Sequence, residues 1–145
     1  MFRMALVVLS LTGSLTLQSV QVVAQSTESQ REEVSKAKQR AITFLKTTQA
    51  NDGSWTSPES PGISGLITYS LLISGVPKTD PTMEKALKHL SSHVQPDGGI
   101  YFAKSNHHSY ETAISLLAFE AANKDGQYSS LIKNAEKVIR KLQWG

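Results

Sequence analysis

Apolar residues recur along this chain in stripes separated by short polar breaks. Val34, Ala37, Ala41, Phe44 and Leu45 fall on one face of a helix. The polar stretch before them carries two capping boxes, Thr27-x-x-Gln30 and Ser29-x-x-Glu32, so a first helix is predicted from about 28–32 to 48. Residues 51–62 read as turn and loop, with Pro58 and Pro61 as stops. Ile63, Leu66, Ile67, Tyr69, Leu71, Leu72 and Ile73 make 63–74 apolar nearly all round, and periodicity alone fits a buried strand as well as a buried helix. Gly75 and Pro77 end it. Asp80-Pro81 then pairs an N-cap carboxylate with proline at the first helical position, and Met83, Ala86, Leu87, Leu90 and Val94 give a third helix its stripe. After a second turn and a polar loop at 102–108, a fourth helix is predicted over 109–123. Lys124-Asp125-Gly126 breaks it, and a fifth covers 129–142 with Leu131, Ile132, Ala135, Val138, Ile139 and Leu142 inward.

The turn after the first helix reads Gln49-Ala50-Asn51-Asp52-Gly53-Ser54-Trp55. Gln49 stands where its amide can reach both the helix's last carbonyls and a neighbouring backbone. Asp52-Gly53 is a turn dipeptide, and Trp55 is a large apolar plate with one N–H, suited to a seam between elements. The pattern returns as Gln95-Pro96-Asp97-Gly98-Gly99-Ile100-Tyr101, with one residue fewer before the aspartate, and begins again at Gln143-Trp144-Gly145. The helices before these turns match as well. Ala86 and Leu90 stand 45 residues after Ala41 and Leu45, and Ala135, Val138, Ile139 and Gln143 stand 94 after Ala41, Phe44, Leu45 and Gln49. Leu116-Leu117 follows Leu71-Leu72 at 45. A period near 45 with two helices per unit predicts a helical repeat and decides 63–74 as a helix, since its alanine-rich counterpart from Tyr110 to Ala122 is too long for a strand. Helices one, three and five are amphipathic, as an outer layer requires; two and four, richer in apolar residues, are expected inside and more buried.

The run Q-x-x-D-G-S-W after A-x-x-F-L resembles the QW motif of terpenoid cyclases and protein prenyltransferases, over about residues 31–145. The resemblance implies an all-α fold: stacked helical hairpins forming part of an α/α toroid, with about two and a half repeats. The second copy carries Tyr101 in place of tryptophan. Tyr110-Glu111-Thr112, opening an alanine- and leucine-rich helix, is similar to the repeats of secreted bacterial proteins labelled squalene cyclase-like. The residues carried over, Gln49, Asp52, Gly53, Trp55, Gln95, Asp97, Gly98, Tyr101, Gln143 and Trp144, are the family's structural ones. The acidic D-x-D-D cluster of the cyclases is missing, and the Cys-containing zinc set of the prenyltransferases has no cysteine to build it. No cofactor is therefore expected.

The 145 residues allow one domain with a modest core. Arg3, the apolar run over 5–17 and Val22-Val23-Ala24 read as a signal peptide at 1–24, the alternative being an uncleaved anchor; the repeat domain is 25–145. An exported protein, periplasmic or extracellular in a bacterium, is the expectation. Without Arg3, 14 of the 15 Lys and Arg face 12 Asp and Glu, scattered rather than clustered, which gives no footprint for nucleic acid. The absence of cysteine excludes disulfides, thiolate metal sites and a cysteine nucleophile.

Two polar clusters have chemical potential. His89 and His93, four apart, put two imidazoles on one helix face as a metal pair needs, but no Asp or Glu lies one turn away, and two boundary histidines explain them as well. Asn106-His107-His108-Ser109-Tyr110-Glu111 is the densest, and His107, His108 and Tyr110 are the catalytic candidates for general acid–base work, as in unrelated toroidal polysaccharide lyases. The structural alternative has Ser109 or a neighbour capping the fourth helix, Glu111 favouring its positive end and Tyr110 packing on the adjoining hairpin. Gly98-Gly99 lacks the lysine and strand of a phosphate loop. The functional expectation is a non-catalytic repeat module or a piece of a longer squalene cyclase-like chain. The alternatives are a cyclase or prenyltransferase relative completed by residues elsewhere, and a polysaccharide-active or binding toroid. With no further hairpin to cover helix 129–142, an exposed apolar edge is expected there, for self-association or for further repeats.

Overall fold

The computed structural model describes residues 15–142, with side chains from residue 27 onward. The first part of the expected signal peptide, residues 1–14, and the motif residues Gln143 and Trp144 lie outside the described residues. The elements are α1 (Leu15–Thr47), α2 (Pro61–Ile73), α3 (Pro81–Ser91), α4 (His108–Ala122) and α5 (Ser129–Leu142). Among the described residues there is no strand, only an isolated bridge between Val94 and Ile100, so the chain is all-α. No helix among them is long and apolar enough to cross a membrane.

The chain divides into two compact units, residues 1–41 and 42–145. In the first, α1 runs straight through both capping boxes, so its predicted start at 28–32 is too late. A cap residue matters where no helical turn precedes it; here the upstream backbone is already helical, and Thr27 and Ser29 become interior positions. Val34 and Ala37 of the predicted stripe are exposed.

In the second unit the last turns of α1 pack through Ile42 and Leu45, while Phe44 is exposed. The working face is thus rotated about one residue from the predicted stripe, because Ile42, Leu45 and the following Gln49 share the side that meets Trp55 and α3.

The inner pair, α2 and α4, departs most from expectation. A Cβ on Gly62 would lie 2.9 Å from the Tyr110 ring, and one on Gly65 only 3.2 Å from Ser115 Cα. Contacts that advance together in sequence mean that the two helices run parallel, nearly backbone to backbone. Small residues make up most of their buried positions: Gly62, Ser64, Gly65 and Thr68 on α2 and Thr112, Ser115 and Ala118 on α4, with Leu71 and Phe119 further along. Thr68 Oγ1 donates back to the Ser64 carbonyl at 2.6 Å, which satisfies one buried hydroxyl locally. Four large apolar residues of these helices face outward instead: Ile63, Leu66, Ile73 and Leu117 are exposed. Where α2 and α4 approach most closely they are therefore buried through small residues, since only small side chains permit so short a separation, while Leu71 and Phe119 are buried further along.

Two connected cores flank this seam. Trp55, Leu71, Val76, Met83 and Ala86 form one, with Ile42, Leu45, Ile67 and Leu72 at its edge. Leu87, Leu90, Ile100, Phe119, Ala122, Ile132 and Ala135 form part of the other. Asp80 caps α3, accepting from Thr82 N at 2.9 Å, and Lys46 bonds the same carboxylate at 2.6 Å. α2 ends in a Schellman turn: Val76 N donates to Leu71 O and Gly75 N to Leu72 O, with Gly75 at φ +98° and Val76 packed on Leu71. On α5, Ile132, Ala135 and Val138 are buried, Leu131 and Ile139 are half-buried, and only Leu142 is exposed. The apolar edge expected on helix 129–142 is thus narrower than predicted: α4 packs on α5, Leu131, Ile132 and Ala135 join the second core, and Leu142 at the end is the exposed member of the stripe.

Gly65→Leu should lower stability by about 1–3 kcal/mol or more, since the facing atoms are backbone and cannot rotate away. Ile73→Ser, on the exposed side, should stay within about 0.5 kcal/mol of wild type. Urea melts compare them; an unchanged midpoint for Gly65→Leu would mean the helices are not held at this separation.

Candidate functional site

The first turn is built by its own polar groups. Gly53 N donates to Ala50 O and Ala50 N to Ser54 O, closing the loop. Asp52 Oδ1 accepts from Ser54 N at 3.0 Å and from Ser54 Oγ at 2.7 Å, and these bonds hold its carboxyl below the usual range. Gly53 takes φ +90°, and a Cβ there would sit 2.3 Å from the Lys85 carbonyl oxygen, so the turn rests on the backbone of α3. Gln49 Nε2 donates to Gly53 O at 3.1 Å and to Thr82 O at 2.9 Å, joining the turn to the first turn of α3. Trp55, 3 % exposed, donates Nε1–H to Leu45 O at 2.8 Å. Thr47 and Thr48 hydroxyls satisfy Phe44 O and Leu45 O. The α1 carbonyls expected to bond Gln49 are met by Trp55 and these threonines instead.

The second turn repeats the bonds in a different register from the sequence match. Gln95 N donates to Gly99 O and Gly98 N to Gln95 O, so Gln95 stands where Ala50 stands, not where Gln49 does. Asp97 Oδ1 accepts from Gly99 N at 2.8 Å, as Asp52 does from Ser54. Gly98, at φ +93°, lies over Asn134 of α5 as Gly53 lies over Lys85. The loops have the same length, and Ile100, not Tyr101, is the counterpart of Trp55: both are buried, and their N–H groups donate to Ser64 Oγ and Thr112 Oγ1. Tyr101 turns outward, donating to Asp97 Oδ2 at 2.9 Å and stacking on His108 with ring centroids 3.9 Å apart. The constant spacing of the two Asp-Gly pairs was the signal that fixes this register.

The candidate catalytic residues do not converge. His107 is exposed at the N-cap of α4 and makes no side-chain cap bond. His108 lies against Tyr101, whereas Tyr110, 51 % exposed, lies against Gly62 of α2. The residue that organises this loop is Glu111, 6 % exposed. Its Oε2 accepts from Phe102 N at 2.9 Å and its Oε1 from Ser105 Oγ at 2.8 Å, pinning the loop before α4. Glu111 was expected only to favour the positive end of α4, with Ser109 or a neighbour as its cap.

The histidine pair borders a cleft of about 580 Å3 lined by Asn51, Asp52, Pro58, Lys85, Lys88, His89, Ser92 and His93. The rings meet edge to face with centroids 4.8 Å apart. His93 Nε2 bonds the Pro58 carbonyl at 2.9 Å, and His89, 6 % exposed, has a buried Nε2 with no partner. Burial pushes both imidazoles below their ordinary range. The Asp52 carboxylate pulls His89 back up; at His93 the neighbouring His89 adds to the fall and Glu111 opposes it. Among the described residues no three His, Cys, Asp or Glu side chains are grouped to hold a metal ion. The arrangement suits a neutral imidazole pair that fastens the 56–60 loop to the end of α3. No protein-family model, curated protein or solved structure matches this chain.

Trp55→Ala should cost about 3–5 kcal/mol through lost packing, and Trp55→Phe about 1 kcal/mol through the lost bond to Leu45 O. A Trp55→Ala protein as stable as wild type in denaturant melts would remove this residue's role as the seam plate.

The histidines predict an acid limb. Burial holds both folded imidazoles below the ordinary histidine range, so in the acid range the unfolded chain binds more protons than the folded one. Their contribution to stability is full above about pH 6.5 and is lost as pH falls through and below it. Melting temperature should drop between about pH 6.5 and 5, and His89→Gln should flatten that drop. A wild-type melt independent of pH over this range would reject the assignment.

Proposed function

We propose that this chain is a non-catalytic module of helical hairpins on the squalene cyclase- and prenyltransferase-like plan, an exported arc of about two and a half repeats from an α/α toroid. Its work is to present a surface. The observation that carries this reading is the employment of the four aspartates. Asp52 and Asp97 tie their turns, Asp80 caps α3, and Asp125 pairs with Lys78 while accepting from Gln127 N. Each is held in the fold, whereas acid catalysis needs a carboxyl with an available proton. The matching bonds of the two turns and the parallel α2–α4 pair flanked by α3 and α5 support the repeat plan.

The surface so presented is the outward side of α2 and α4, with Ile63, Leu66, Ile73 and Leu117. Further hairpins, from a second copy or from a longer array, stack there rather than on α5. The exposed Tyr110 ring favours a second reading, a carbohydrate-binding surface, which oligosaccharide-dependent shifts at Tyr110 would detect.

Purified protein incubated with squalene or with prenyl diphosphates should return them unchanged, and any cyclic or transferred product would overturn the non-catalytic reading. In light scattering the protein should self-associate with rising concentration. The double variant Leu66→Glu/Leu117→Glu should be monomeric with an unchanged melt. A monodisperse wild type at high concentration would reject the stacking surface.

A further inference from the structure

The C-terminal ends of α2 and α4 border one cavity. The Schellman turn carries the chain away from α4 through Gly75, around which an added Cβ would meet nothing within 4 Å. On the α4 side the facing residues are only Ala121 and Ala122. The result is a cavity of about 320 Å3 with an apolar floor of Leu72, Val76, Pro77 and the two alanines. Its volume is at the lower end of the range for small-molecule sites.

One wall is fixed. Lys78 pairs with Asp125, donates to Gln127 Oε1 at 3.1 Å and lies 5.8 Å from the centre of the Tyr128 ring. Its charge is therefore committed. Three of the last carbonyls of α2 are committed as well, since Ser74, Gly75 and Val76 N–H groups take Ser70, Leu72 and Leu71 oxygens. Two rim groups are not. Lys124, on the α4 side, and Thr79, on the loop to α3, are exposed at the rim, and neither makes a side-chain bond among the described residues. One ammonium and one hydroxyl thus stand at the mouth of an apolar hollow whose lining carboxylate, Asp125, is already paired with Lys78.

The geometry points to a binding site for a small amphipathic carboxylate: a short alkyl chain or single aromatic ring on the apolar floor, its anionic head held by Lys124 and Thr79. This site is separate from the outward face of α2 and α4, and it stands whether or not the chain belongs to a repeat array. Charge complementarity sets the sign of the head group, since the Asp125 negative charge is already neutralised by Lys78.

The test is titration of the isotope-labelled full chain with octanoate, octan-1-ol and octylamine, read by amide shifts and calorimetry. Octanoate should give saturable shifts at Gly75, Val76, Ala121 and Lys124 and bind most tightly of the three. Lys124→Gln, an exposed substitution, should weaken octanoate about fivefold while leaving octanol unchanged. Ala121→Phe should fill the hollow and abolish the shifts, and Leu66→Glu/Leu117→Glu should bind as wild type does. Octylamine binding as tightly as octanoate, an unaltered affinity in Lys124→Gln, or no saturable shifts at all would overturn the site. Octanoate binding lost in Leu66→Glu/Leu117→Glu but kept in Ala121→Phe would place it on the outer face and equally overturn it.

Discussion

Everything else in the second unit depends on a turn that sits directly on a helix backbone. At Gly53 there is no room for even one methyl group against the Lys85 carbonyl. That closeness lets the Gln49 amide reach Thr82 O, lets Trp55 cover the seam, and sets α3 at the height where Met83 and Ala86 enter the core. A turn held further off would lose these contacts together, since none has slack to follow. Gly98 on Asn134 does the same for α5, with Ile100 as the buried plate. The Asp-Gly pair is required for two independent reasons: positive φ at the glycine and tight approach behind it.

Much of this was legible in the residues. Asp80-Pro81 announces the start of α3 because cap and proline chemistry are local. The Asp-Gly turns and the fifth helix could be read for the same reason, since their signals lie within a few residues. What could not be read was which side of a helix turns inward when the partner is itself unknown. Ile63, Leu66 and Leu117 look like core by composition, yet Gly62, Gly65 and Ser115 claim the inner position. Hydrophobicity ranks transfer from water, but separation between helices is set by the smallest residues at the contact, and no single-helix pattern contains that information.

The candidate site was legible to a different degree. The spacing of His89 and His93 correctly put two rings together, but the carboxylates that act on them, Asp52 and Glu111, arrive from a turn and from another helix. Glu111 was visible as a first-turn acid, yet its bonds to Phe102 N and Ser105 Oγ depend on how a six-residue polar loop closes, which has no periodicity to read. Tyr101 was misaligned for the opposite reason: its aromatic character drew it to the Trp55 position, although Ile100 is the residue whose N–H finds Thr112.

The small-residue seam between α2 and α4 has a thermodynamic consequence of its own. Glycine and alanine have no rotamers to freeze, and serine and threonine have few, so joining these helices orders little beyond the backbone. The long side chains of Ile63, Leu66, Ile73 and Leu117 remain in water with their rotational freedom intact. Conformational entropy is thus divided unevenly between the two faces of one helix pair. The inner face closes at small entropic loss, and the outer face still has that loss ahead of it whenever something settles upon it.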